Sequence, residues 1–424
     1  MLTSLLLAVC CLSADPAPGA NEDLKLEVRR MVRKMDADQL AERETAEKAL
    51  LEKGTAVLDF LPEVDDKTSP EVRVRLTRIR QQLQQAAADA AVRPSLVTLQ
   101  EDAVPLSRLL AVLSEQSGNK ITDRREAMNQ PVDDPEIKAD FDKTPFWEAF
   151  DRTLDRAGAA LYPFGEGDGL NVVAKGEKQL PSGQGVSYAG PFRLKPMRVE
   201  ASRELRIEMP ATVHVFIETV WEPRLRPIAI KQRLEDIEAV DDKGNRLAVG
   251  AEAELETPID GGRSAVELEL PFVAPPREVK EIASIKGKLS AIIAGKVETF
   301  QFDKLTKAKN VEKRLAGVTV TLEGVQKNND AWEIRIRVKF DEAGDALASH
   351  RGWIFQNEAY LEGEDGKPIR YDAFETTKQS KDEVGLAYIF ALDDPPEKLK
   401  FTYKTPAALF APTFEYELKN IKLP

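Results

Sequence analysis

Two histidines, His214 and His350, are the only imidazoles in 424 residues, so histidine-based acid–base chemistry has two possible seats. His214 stands between Val213 and Val215 in an alternating run and reads as one side chain on a sheet face. His350 follows the loop-like Gly344–Ser349 stretch and precedes Arg351, a more accessible setting. Neither is accompanied by a Gly-x-Ser-x-Gly elbow, and one histidine alone makes no triad. The zinc spacings His-Glu-x-x-His and Cys-x-x-Cys are absent, as is the Asp-x-Asp-x-Asp-Gly calcium loop. Gly165-Glu166-Gly167-Asp168-Gly169 alternates glycine with acid, lacks the Lys-Ser/Thr of a phosphate cradle, and reads as a hairpin turn. The expectation is therefore no metal and no cofactor. Glycosidase-type chemistry needs two carboxyls across a cleft. With 72 acidic residues, spacing along the chain does not reveal such a pair, and a carboxylate hydrolase stays as a third reading.

Residues of the contact type are easier to find. Trp221-Glu222-Pro223-Arg224-Leu225-Arg226-Pro227 carries two prolines, which hold a chain extended and interrupt strand pairing. Tryptophan and arginine are enriched at binding hot spots, so Trp221, Arg224 and Arg226 are candidate contact residues. The plainer reading is that the Trp plugs a core and the arginines pair with local acids. Arg351-Gly352-Trp353-Ile354-Phe355 offers the same choice: Arg351 and Trp353 as contacts, or Trp353 and Phe355 as core.

The whole-chain balance limits the partners. A net charge of −12 opposes nucleic acid, whose phosphates need a basic surface. Hydrophobic residues at 42% and charged residues at 31% describe a folded chain, and 424 residues imply two to four domains. Leu5 to Leu12 is an apolar run ending in Ser13-Ala14 before a Pro-rich stretch, the layout of a signal peptide cut after Ala14 or Ala20. Its n-region has no Lys or Arg. The run is well below the ~20 residues that span a bilayer, so no transmembrane segment is expected in the mature chain. Both cysteines, Cys10 and Cys11, lie in this leader, and its removal leaves no thiol for disulfide, nucleophile or metal. Val9 and the adjacent Cys11 make Cys10 a poor lipidation site. The expected location is the periplasm or cell envelope, with another envelope protein as partner.

The elements that must position these residues follow from periodicity. From 22 to 90 the pattern is helical, with Val28, Met31, Val32 and Met35 at helical spacing. Asp36 or Asp38 is the expected cap of a second helix that stops at Gly54. Ser69-Pro70-Glu71 opens another, striped by Val72, Leu76, Ile79 and Leu83. Residues 93–175 read as a doubled β-α-β unit, a small βαββαββ module. Two β-sandwiches are then expected, at 186–305 and 309–424. The first includes alternating strands at Leu205–Met209 and Thr212–Glu218 and the turn Asp242-Lys243-Gly244-Asn245. The second includes Trp332–Val338, a turn at Glu364-Asp365-Gly366-Lys367 and the closing strand Phe414–Leu418. Both look loosely immunoglobulin-like, and the fold class is multidomain α+β.

Two resemblances follow. The run Arg43–Gly54 with Ser69-Pro70-Glu71-Val72-Arg73 resembles one HEAT-type helical repeat. Such a repeat buries little core alone and packs on another domain or a partner. Val104-Pro105-Leu106-x-x-Leu109-Leu110-x-x-Leu113-Ser114-x-Gln116-Ser117-Gly118, then Phe141-x-x-Thr144-Pro145-Phe146-Trp147-x-Ala149-Phe150-x-x-x-Leu154, resembles the short N-terminal domain of secretins and TonB-dependent receptors. That resemblance implies a small α/β module used for docking in envelope assemblies; no secretin or receptor barrel follows it here. The leading expectation is a non-catalytic modular envelope protein that docks or scaffolds. The alternative is a carbohydrate- or peptide-binding protein that stacks its ligand on Trp221 or Trp353.

Overall fold

The computed structural model describes residues 18–62, 64, 68–165, 169–250, 254–259, 263–328, 330–340, 352–363, 366–380 and 383–424. The signal-peptide run, His350 and Arg351 lie outside the described residues. The chain is mixed α+β and mostly β, with helices at its N-terminal end and several sheets after them. It divides into two compact units, Met1–Ala90 and Ala91–Pro424.

The first unit contains α1 (Pro18–Lys34), α2 (Leu40–Glu52), a 3-10 turn over Gly54–Phe60, and most of α3 (Pro70–Val92). The helical stripe meets in a core of Val28, Met35, Leu50, Val57, Leu76 and Ile79, each at most 1% exposed. Ser69 caps α3 as expected: its Oγ accepts the Val72 N–H at 3.4 Å. The expected aspartate cap of α2 is absent. Gln39 holds the capping position without a side-chain bond, and Asp36 instead accepts a 2.6 Å hydrogen bond from Ser69 Oγ. Glu47, buried between α2 and α3, is held by Arg75 at 2.5 Å and Arg78 at 2.6 Å, as a buried carboxylate requires.

The second unit opens with β1 (Leu96–Pro105), α4 (Leu106–Ser117), β2 (Ile121–Asp123), β3 (Glu136–Pro145), α5 (Phe146–Ala157), β4 (Ala159–Tyr162) and β5 (Leu170–Ala174). The two halves repeat in detail. Pro105 and Pro145 precede α4 and α5 with nearly equal backbone angles, and Gly118 and Gly158 end them at φ +70° and +64°. Glycine is needed there, because other residues pay steric strain in the left-handed region. β1 and β3 pair antiparallel; the Phe146 N–H bonds Ser95 O at 2.8 Å, and the Leu106 N–H bonds Pro135 O at 3.1 Å.

The remaining strands form two core-bearing regions. In the first, β6 (Ser187–Ala189), β7 (Phe192–Ser202), β8 (Thr212–Trp221) and β13 (Ala265–Val273) make a sheet of order β13-β8-β7-β6. A nine-stranded sheet contributes β9 (Pro227–Arg233), β10 (Glu238–Asp241), β11 (Arg246–Leu247), β12 (Glu254–Pro258) and β14 (Glu281–Phe302) to this region. The second region has β15 (Val311–Leu315), β16 (Val318–Asn328), β17 (Ala331–Phe340), β20 (Ala373–Gln379) and β21 (Glu383–Phe390) in one sheet. Facing it are α6 (Gly352–Phe355) and the nine-stranded sheet's β18 (Ala359–Glu362), β19 (Pro368–Arg370) and β22 (Lys400–Phe410), with β23 (Thr413–Lys422) beyond.

β14 joins the two regions. It pairs with β23 from Glu281↔Lys422 to Ser290↔Thr413, then with β22 from Ile293↔Phe410 to Phe302↔Phe401, in one unbroken register. Pro412 carries no N–H, so the strand is interrupted there, but its carbonyl still accepts the Ala291 N–H at 3.1 Å. The result is a continuous ladder about 70 Å long, flanked by β10 and β9 along its first half and by β18 along part of its second. Ile285, Leu289, Ala291 and Ile293 enter the first core, while Phe300 and Phe302 enter the second. The change of parity places the two cores on opposite faces of the ladder.

Besides the aspartate cap of α2, two sequence expectations change. Phe414, Tyr416 and Leu418, expected to close the second region, pack in the first core, because β23 pairs with the first half of β14. Leu205–Met209 is not a strand; it lies in the connection between β7 and β8, with Leu205 86% exposed. Alternation alone does not make a strand where neither face is buried and no neighbour pairs.

Candidate functional site

The Trp221–Pro227 run leaves the end of β8 as a turn closed by the Leu225 N–H on Glu222 O at 2.9 Å, not as an extended segment. Trp221 is 1% exposed and lies in the first core, 6.3 Å from the Phe192 ring. Glu222, fully buried, is the centre of the run. Its carboxylate accepts the Ser95 N–H at 2.9 Å and Ser95 Oγ–H at 2.5 Å, Asn119 Nδ2–H at 3.1 Å and Arg224 Nε–H at 2.7 Å. Arg224 also bonds the backbone carbonyls of Ala91 and Arg93, and its N–H reaches Asn119 Oδ1 at 3.2 Å. Of the two expected contact arginines, Arg224 is thus an internal tie, and Arg226 is exposed. Trp353 is 4% exposed and meets Phe340 edge-to-face at 5.5 Å. Neither Trp221 nor Trp353 presents a ring to solvent, so the stacking platform expected of them is not there.

A second buried node ties α5 to the outer face of β7 and β8. Arg193 Nε donates to Asp151 Oδ2 at 2.9 Å, Nη1 to Glu218 Oε1 at 2.9 Å, and Nη2 to Ser182 O at 2.8 Å. Tyr188 Oη donates to Asp151 Oδ2 at 2.7 Å, and Trp147 Nε1 to Pro191 O at 2.8 Å. The planar guanidinium fork serves Asp151, Glu218 and Ser182 at once in one fixed geometry. Burial raises the Glu218 carboxyl above its ordinary value of 4.5, against the pull of Arg193. Burial also opposes the Arg193 charge, but Asp151 and Glu218 outweigh it and hold the group protonated. Burial pushes the Tyr188 hydroxyl far up, with Asp151 adding to the effect. The two carboxylates do converge, but the guanidinium fills the space between them, so they frame no substrate cleft. Val220 and Ala265 of the sheet share one core with Leu106 and Phe146 of the module, completing the seam in apolar contact.

His214 sits on the open part of that same outer face. Its Nδ1 lies 2.5 Å from Glu269 Oε1 and its Nε2 lies 3.1 Å from Thr212 Oγ1. Hydroxyl, imidazole and carboxylate thus stand in the order of a nucleophile, base and orienting group. β8 is an inner strand at this point, paired to both β7 and β13, so its backbone N–H groups are committed to the ladder. None of these β8 groups is therefore left to meet a developing oxyanion. Among the described residues, no group of three His, Cys, Asp or Glu side chains is placed to hold a metal ion.

Sequence reasoning missed Glu222, Arg193 and Asp151. A partial signal existed in Glu218, a lone acid inside the apolar run Val213–Trp221, which asks for a buried cation without naming it. No family model, no curated protein and no solved structure matches this chain.

Proposed function

We propose that the protein is a non-catalytic modular envelope protein that docks and spaces partners. One observation supports this above others: β14 runs without a break through both β regions, pairing β23 and then β22 in one register and carrying one core on each face, so the two regions share a common structural member. A shared ladder with two cores holds a fixed spacing, as a scaffold must, whereas separate domains on a linker would move freely. The Glu222 and Arg193 nodes fix the 93–175 module to that frame. In this proposal the module takes the docking role of the secretin and TonB-receptor N-terminal domain it resembles. The helical segment 22–90 acts as a HEAT-like contact surface, the β regions are immunoglobulin-like spacers, and the chain is exported to the periplasm or envelope.

The test is capture of the tagged full chain from a crosslinked envelope fraction of its native host. One stoichiometric protein partner is the expected result. Recovery of the chain alone, from soluble and envelope fractions alike, would remove the docking reading.

A further inference from the structure

Among the described residues of the second unit, the β7–β8 connection carries the most exposed large apolar side chain, Leu205. It begins after the Ser202↔Thr212 rung, and the Ala274 N–H fastens its far end to Ala211 O at 2.8 Å. Every residue from Ala201 to Pro210 is exposed, and the loop presents Leu205, Ile207 and Met209 at 86%, 57% and 56%. None of the three belongs to a core. Large apolar groups held out together mark an interaction site.

The chemistry of the loop argues for lipid over protein. It has no aromatic residue, and of its two arginines Arg206 is bound by Glu204 through both its N–H and its Nε, which leaves Arg203 as its one remaining hot-spot type of residue. Aliphatic side chains on an exposed loop need only depth in an apolar phase, which a bilayer supplies without shape matching. Within Arg203–Ala211 two arginines balance two glutamates. Beside the base of the loop, Glu200, Ser202, His214 and Glu269 line an open depression of about 580 Å³. Around the depression Glu200, Glu267 and Glu269 outnumber the guanidinium of Arg198, which bridges the first two, while farther along the face Arg193 and Lys195 are matched by Asp151 and Glu218. The excess negative charge repels anionic headgroups and suits the ammonium end of a zwitterionic one.

We infer that the β7–β8 tip inserts Leu205, Ile207 and Met209 into a zwitterionic phospholipid surface, with the Glu200/Glu269 depression receiving the headgroup ammonium. This contact is independent of protein docking: a chain that binds vesicles but captures no partner keeps the former and loses the latter.

The experiment is co-sedimentation of the full chain with phosphatidylcholine vesicles, and separately with phosphatidylglycerol vesicles, at low and high salt. Binding to phosphatidylcholine that survives high salt, and weaker binding to phosphatidylglycerol, is the expected pattern. The combined variant Leu205→Ser, Ile207→Ser and Met209→Ser should lose at least about tenfold in partition, because each side chain forfeits its transfer out of water. Val297→Ser, which changes an exposed valine elsewhere, should bind as the parent does. Glu200→Gln with Glu269→Gln should keep insertion and erase the preference between the two lipids. The inference is overturned by absence of vesicle binding, by equal partition of the loop variant, or by binding that prefers phosphatidylglycerol and disappears in salt. Self-association or protein capture through the tip without lipid binding overturns it as well.

Discussion

At the scale of single residues, the buried charges decide more than the exposed ones. Glu222→Ala would strip four donors of their acceptor and leave the Arg224 cation partly uncompensated, a loss of about 3–5 kcal/mol. Glu222→Gln keeps an acceptor oxygen and should cost less. Arg226→Ala, on an exposed side chain, should stay within about 0.5 kcal/mol. Denaturant midpoints of the three variants check the order. The pH profile follows from the signs of the shifts. The native Glu218 carboxyl titrates above 4.5, so the folded state holds that proton more tightly. Its contribution is full below 4.5 and is lost as pH rises through the native value. Asp123, lowered from 3.8 by Arg125, contributes above 3.8 and loses its share as pH falls through its native value; Asp155 does the same, since Ser182 and Lys175 outweigh its burial. Unfolding measured across pH should show that Glu218→Gln flattens the decline above 4.5 and leaves the acid limb in place. The role of Trp221 as core was legible from its apolar neighbours. The partners of Glu222 were not, because Ser95 and Asn119 lie more than a hundred residues away in sequence.

At the scale of elements, local chemistry was legible and pairing was not. Pro105 and Pro145 before the helices, and Gly118 and Gly158 after them, set α4 and α5 through their own backbone preferences. β23 has a clean alternation, but which neighbour it takes depends on β14, more than a hundred residues earlier. The Leu205–Met209 pattern misled for the opposite reason: the alternation is real and no neighbour exists. Gly287 shows how tightly the ladder is fitted. It sits opposite Tyr416, and a Cβ there would come within 2.4 Å of the tyrosine oxygen, which donates to Gln232 Oε1 at 2.8 Å. Gly287→Val should therefore cost about 1–3 kcal/mol by overpacking, read as a shift in the denaturant midpoint. In a Tyr416→Ala background the same Gly287→Val change should cost less than it does in the parent, since the clash that causes the loss is gone.

At the scale of the whole molecule, the balance of charge and the length of the chain suggested several domains in series, while the structure of residues 91–424 makes the two β regions share a ladder. Nothing in the local pattern of β14 announces this, since a 22-residue strand reads as two shorter ones until its partner is known. The scaffold reading stands on that sharing, and native-state hydrogen exchange against denaturant tests it most directly. Amides of β7 and β8, around the first core, and of β16 and β17, around the second, should lose protection together, because opening either core tears the common ladder. If β16 and β17 exchange at lower denaturant while β7 and β8 stay protected, the regions are independent beads and the frame does not exist.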